Sequence, residues 1–186
     1  MIDIDELHIV NYCHQNCITI KNLIRLPEKQ AFSLAYEMAA NNPDTTAFYR
    51  FADFENYYSL RISQDEYLYE MFVSLGGKPK EKHPLSFVLQ GSKFLNNWFD
   101  NGTITKIMLK DIPSEFVSFT LGDSGAIFQK TGTVTMYTKE MLYHNFKEYK
   151  GTIDEFMREI VEKYYFIEVQ LWNDVTFYSL LAPSNE

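Results

Sequence analysis

Apolar and polar positions follow two rhythms along this chain. From Tyr165 to Trp172 the period is two: Tyr165, Ile167, Val169 and Leu171 point one way, and Phe166, Glu168, Gln170 and Trp172 the other. Phe116–Leu121 alternates likewise, with Ser118 and Thr120 opposing Val117, Phe119 and Leu121. Further strands are predicted at Cys17–Ile20, Thr45–Phe51, Tyr57–Ile62, Pro84–Leu89, Ile104–Leu109 and Thr133–Tyr137. Val175–Leu181 is predicted to pair with Tyr165–Trp172 through a hairpin at Asn173-Asp174.

Elsewhere the rhythm is helical. Pro27 opens a helix with Ala31, Leu34, Ala35, Met38 and Ala39 on one stripe, and Asn41-Asn42-Pro43-Asp44 ends it. Ser63-Gln64-Asp65-Glu66 has the form of a capping box, followed by Leu68, Met71, Phe72 and Leu75, and Gly76-Gly77 stops the run. Ser92 caps a short helix containing Phe94, Leu95, Trp98 and Phe99, and Asn101-Gly102 marks a tight turn. Thr138 caps a helix to about Tyr149. A second capping box, Thr152-Ile153-Asp154-Glu155, starts the helix with the cleanest stripe: Ile153, Phe156, Met157, Ile160, Val161 and Tyr164.

Strand often follows strand, and helices come in blocks. That order predicts an α+β fold with a mixed, largely antiparallel sheet and about four to five helices. The chain has 186 residues, without internal repeats or a low-complexity linker, so the expectation is a single domain over 1–186.

Charge narrows the partners. There are 17 Lys and Arg against 25 Asp and Glu, a formal net charge of -8. A negative field opposes phosphate backbones and acidic lipid, so neither nucleic acid nor membrane is expected as a partner. The one basic run, Lys78-Pro79-Lys80-Glu81-Lys82-His83, reads as a solvated loop. The acidic start, Met1-Ile2-Asp3-Ile4-Asp5-Glu6, is unlike a signal peptide. Two cysteines four positions apart make no secreted framework, so a cytoplasmic protein with Cys13 and Cys17 as thiols is expected.

The motifs are sparse. Cys13-His14-x-x-Cys17, with His8 upstream, has no second Cys pair to complete a zinc site, and no metal or cofactor is expected. Gly122-Asp123-Ser124-Gly125 holds a serine in words similar to those of trypsin-type proteases and GDSL-type lipases. It lacks the continuation of the first, and the N-terminal serine position and C-terminal Asp-x-x-His of the second, and reads as a turn.

The candidate site is assembled from strand faces. If Arg50 lies on a strand facing the polar sides of Phe116–Leu121 and Tyr165–Trp172, then Arg50, Ser118, Thr120, Glu168 and Gln170 meet between Phe166 and Trp172. A few polar groups among aromatics is how a small-molecule cleft is built. Glu168 and Arg50 are the candidates for a catalytic pair. The order Arg, Ser-x-Thr, Glu resembles the arginine-type ADP-ribosyltransferases. The resemblance implies that Arg50 holds a dinucleotide, the hydroxyls order the site and Glu168 stabilises the reacting ribose. The triplet here is Ser118-Phe119-Thr120 and the acidic pattern Glu168-x-Gln170, both departures from that family. The expectation is a binding or regulatory protein for a small molecule or a protein partner, inhibitor-like or immunity-like. The alternative is a small transferase or hydrolase using the strand-face cluster.

Overall fold

A computed structural model describes residues 3–17 and 22–181. The predicted strand at Cys17–Ile20 falls, beyond Cys17, outside the described residues, and Cys17 itself lies in a turn.

The strands are β1 (His8–Cys13), β2 (Leu85–Leu89), β3 (Thr103–Met108), β4 (Val117–Leu121), β5 (Met136–Thr138) and β6 (Ile167–Leu171). They form one sheet in the order β3-β1-β2-β6-β4-β5, and every pairing is antiparallel. The helices are α1 (Glu28–Asn41), α2 (Phe54–Ser74), α3 (Lys93–Trp98), α4 (Ser124–Thr131), α5 (Lys139–Glu148), α6 (Ile153–Tyr164) and α7 (Asp174–Leu181). The α+β expectation holds.

Both faces of the sheet are covered. One face carries Leu85, Phe87, Leu89, Val117, Phe119, Ile167, Val169 and Leu171 against Leu142 and Phe146 of α5, Met157 of α6 and Phe177 of α7. On the other, Trp172 packs with Leu68 and Phe72 of α2 and Met136 of β5. Residues of β6 are therefore buried whichever way they point, the polar ones included. The α6 stripe is shallower than its periodicity suggests: Met157 is buried, whereas Val161 is 41% exposed.

The caps expected at Ser92, Thr138 and Thr152 are present, the last as a full capping box. Several elements differ from expectation, among them β1, which lies where no strand is predicted. Residues 45–51 form no strand; a 3-10 helix covers Thr46–Asp53, started by Thr45 Oγ1, which accepts from Ala47 N at 3.2 Å. Phe48, Phe51 and Phe54 recur every third residue, the period at which 3-10 side chains eclipse, and their rings pack at 5.7 and 5.5 Å. Tyr57–Ile62 belongs to α2, and so does the apparent capping box. Ser63 Oγ donates to Ser59 O one turn back, at 3.1 Å, which is helix-interior behaviour. Residues 122–125 are more than a turn: Gly122 bends the chain at φ 81°, then Asp123 Oδ1 accepts from Ala126 N and starts α4 at Ser124. Finally, Val175–Leu181 is helical. β6 already has β2 and β4 on its two edges, so a hairpin strand has nowhere to pair. Asn173 Oδ1 accepts from Val175 N and begins α7 instead.

Among the described residues no helix is long and apolar enough to cross a membrane.

Candidate functional site

The polar face of β4 and β6 forms a closed ladder. Register places Ser118 opposite Gln170 and Thr120 opposite Glu168. Trp172 Nε1 donates to Ser118 Oγ at 2.9 Å, and Ser118 Oγ donates to Gln170 Oε1 at 2.9 Å. Gln170 Nε2 donates to Thr120 Oγ1 at 3.0 Å, and Thr120 Oγ1 donates to Glu168 Oε2 at 3.3 Å. Glu168 Oε2 also accepts from Ser124 N at 2.8 Å, at the start of α4. Gln64 Nε2 of α2 donates to Ser124 Oγ at 2.6 Å, tying the helix layer to the ladder. Five of the six residues expected in the site are thus together, buried, and bonded largely to one another.

Arg50 is the exception. It sits in the 3-10 helix, where its Nε donates to Tyr49 Oη at 2.8 Å and its Nη2 lies 3.5 Å from Asp123 Oδ2. It therefore reaches the residue beside the ladder's anchor, one step short of Glu168. Ser124 is fully buried and engaged by Gln64 and Glu168, so it is no exposed nucleophile.

The cation that faces Glu168 is Arg61 of α2. Arg61 Nη2 lies 3.1 Å from Asp65 Oδ1, one helical turn on. Asp65 has zero exposure, and its other oxygen meets His83 Nδ1 at 3.0 Å. The basic run thus ends in a residue tied to the interior. Burial alone would lower the pKa of Arg61; Asp65, followed by Tyr57, Glu168 and Asp123, outweighs it and holds the guanidinium firmly charged. Yet the pair is a matter of distance rather than alignment: Asp65 Oδ1 has no aligned donor. Among the described residues the N–H groups of Arg61 make no directed hydrogen bond.

Arg61 also borders a half-open cavity of about 580 Å³. Tyr57 and Arg61 of α2, Leu34, Glu37 and Met38 of α1, and Phe48 and Phe51 of the 3-10 helix form part of its wall. Asn11 and Cys13 of β1, Cys17, Asn22 and Ser86 of β2 complete its polar side. Its size lies within the range of small-molecule sites, as does its mix of aromatic walls and few polar groups. Arg61, whose charge acts on Glu168, joins the two features.

Glu168 is pushed above the usual carboxylate range, first by burial and then by the negative charge of Asp123; Ser124 and Arg61 pull the other way. A carboxyl raised in the folded state favours the fold fully below its unfolded value, about 4.3, and that advantage is lost as pH rises through the folded value. Glu168→Gln removes the loss. In urea unfolding from about pH 4 to about pH 8, the stability of the variant relative to wild type is expected to climb with pH. A difference independent of pH would show that the Glu168 charge is fully compensated.

Among the described residues no group of three or more His, Cys, Asp or Glu is placed to hold a metal. Comparison with protein families gives no match, and no curated protein or solved structure is significantly similar.

Proposed function

We propose that this is a small-molecule-binding protein, and that its ligand carries an acidic group on an apolar or aromatic body. The observation that carries this reading is Arg61: it lines a cavity of about 580 Å³, is charged and mostly buried, and its pairing with Asp65 is not an aligned hydrogen bond. Arg presents a planar fork of donors that suits a carboxylate or phosphate bidentately. Phe48, Phe51, Leu34 and Met38 supply the apolar wall for the rest of the ligand. Asn11, Asn22 and Ser86 supply further polar contacts.

In this reading the ladder on β4 and β6 is a buttress. It fixes Glu168, which with Asp65 keeps Arg61 charged and in place. A transferase or hydrolase acting through Arg50, Ser118 and Glu168 has less support, because the ladder's groups are spent on one another and Arg50 ends on Asp123. A protein-partner role, inhibitor-like or immunity-like, has the net charge of -8 behind it. A cytoplasmic setting belongs to the same proposal, on the strength of the two unlinked thiols.

The test is a thermal-shift series with benzoate and indole-3-carboxylate, each beside its neutral amide. A ligand that binds only the native state raises the melting temperature with concentration. The carboxylates are expected to do so, the amides much less. Leu34→Trp, which fills the cavity and leaves Arg61 untouched, should abolish the shift. Equal shifts for acid and amide, or a shift that survives Leu34→Trp, would overturn the assignment.

A further inference from the structure

The two cysteines meet at the cavity. Cys13 ends β1, paired with Thr103 of β3, and Cys17 closes the turn that follows. That turn is pinned on several sides. Cys17 N donates to His14 O at 2.8 Å, and Asn16 N donates to His14 Nδ1 at 3.1 Å. His14 Nε2 lies 3.3 Å from Asp100 Oδ2, and Asn16 Nδ2 donates to Asn42 Oδ1 at 2.7 Å. Gly102 backs directly onto Cys13: a Cβ there would stand 2.2 Å from the Cys13 carbonyl oxygen. Held this way, the Cys17 thiol lies where the Cys13 side chain and burial raise it above its ordinary range. Both residues are half-buried, both border the cavity, and no disulfide links them.

We propose that Cys13 and Cys17 are a redox-active dithiol, which closes to an intrachain disulfide by exchange with a low-molecular-weight disulfide entering through the cavity. The proposal stands apart from the identity of the cavity's ligand. In a pair of coupled thiols one sulfur ionises first and the other keeps its proton. Here Cys17 keeps its proton, its thiol raised above the usual range by the Cys13 side chain and by burial. Cys13 is therefore the attacking thiolate. It bonds to one sulfur of the small disulfide and expels a thiolate, which takes up a proton. Cys17 then gives up its proton to solvent and attacks the Cys13 sulfur of the mixed disulfide, expelling the second thiolate. Two protein thiols and one small disulfide become one protein disulfide and two small thiols, with no other oxidant.

A fold that holds the two sulfurs together favours the disulfide more than the unfolded chain does. The experiment equilibrates the native protein, and the same protein in urea, in buffers of reduced and oxidised glutathione. After acid quenching and alkylation, mass spectrometry reads the species. The equilibrium constant for the 13–17 disulfide is expected to be at least about tenfold higher in the native protein. Cys17→Ser is expected to stop at a stable glutathione adduct on Cys13, since nothing remains to resolve it. A native constant equal to or below that of the unfolded chain would overturn the proposal. So would glutathione adducts on both thiols of the wild type without a disulfide. The wild-type comparison decides the matter even if Cys17→Ser does not fold.

Discussion

Arg61→Met is expected to cost about 3–5 kcal/mol of stability, because it strips a buried carboxylate of its cation. Asp65 has zero exposure, and Arg61 is 14% exposed at the side chain. A pair of this kind contributes little net stability when whole, since desolvating both charges offsets their attraction. Removing one partner leaves the other charge buried and uncompensated, and that is where the loss arises. His83 Nδ1 at 3.0 Å supplies Asp65 with one polar contact, on the opposite oxygen. Urea unfolding measures the single variant against Arg61→Met combined with Asp65→Leu. The double variant is expected to recover most of the loss, because replacing both ions by apolar groups can be nearly neutral. A single-variant loss below about 1 kcal/mol would mean that His83 balances Asp65 without help.

The same residue shows where the sequence could and could not be read. Alternation along β4 and β6 was legible, because a period of two holds whichever neighbours a strand acquires. It correctly put Ser118, Thr120, Glu168, Gln170 and Trp172 on one face. What alternation does not reveal is what covers that face. Polar residues on a strand suggest solvent; here α2 and α4 lie over them, and the polarity is satisfied internally. α2 itself carries a readable signal. Phe54, Tyr58, Arg61, Asp65, Leu68 and Phe72 are spaced four and three apart, a single stripe on a helix of 21 residues. The two charged positions interrupt its apolar look, and Ser63-Gln64-Asp65-Glu66 imitates a helix start in its middle. Opposite charges at Arg61 and Asp65, four apart, are the clue that the stripe continues through them. Arg50 lies off the expected strand for a related reason. Its segment has the β-prone Thr and aromatic residues of a strand, but the aromatics recur every third position, and tertiary packing of Phe48, Phe51 and Phe54 selects the 3-10 helix.

Trp172→Ala is expected to cost about 3–5 kcal/mol, the range for emptying a buried indole site. Trp172 has zero exposure and heads the set of largest fully buried side chains. Its ring stacks on Phe72 at 5.6 Å with planes 18° apart, and meets Tyr69 edge-on at 6.1 Å. Its backbone adds to the node: the Trp172 carbonyl accepts from Lys80 N and Glu81 N, anchoring the loop that leads to His83. Trp172→Phe separates the two contributions. It keeps an aromatic face against Phe72 but removes the Nε1 donor together with part of the ring volume, so the hydrogen bond to Ser118 accounts for about 1 kcal/mol of the loss and the space left by the smaller ring adds to it. The alanine variant should also loosen the ladder from its far end, since Ser118, Gln170, Thr120 and Glu168 are bonded in series. Hydrogen exchange at the β4–β6 pairing reads that loosening, with faster exchange expected in Trp172→Ala than in Trp172→Phe. Equal exchange in the two variants, which both lack the Nε1 donor, would mean that the bulk of the Trp172 ring does not hold the ladder.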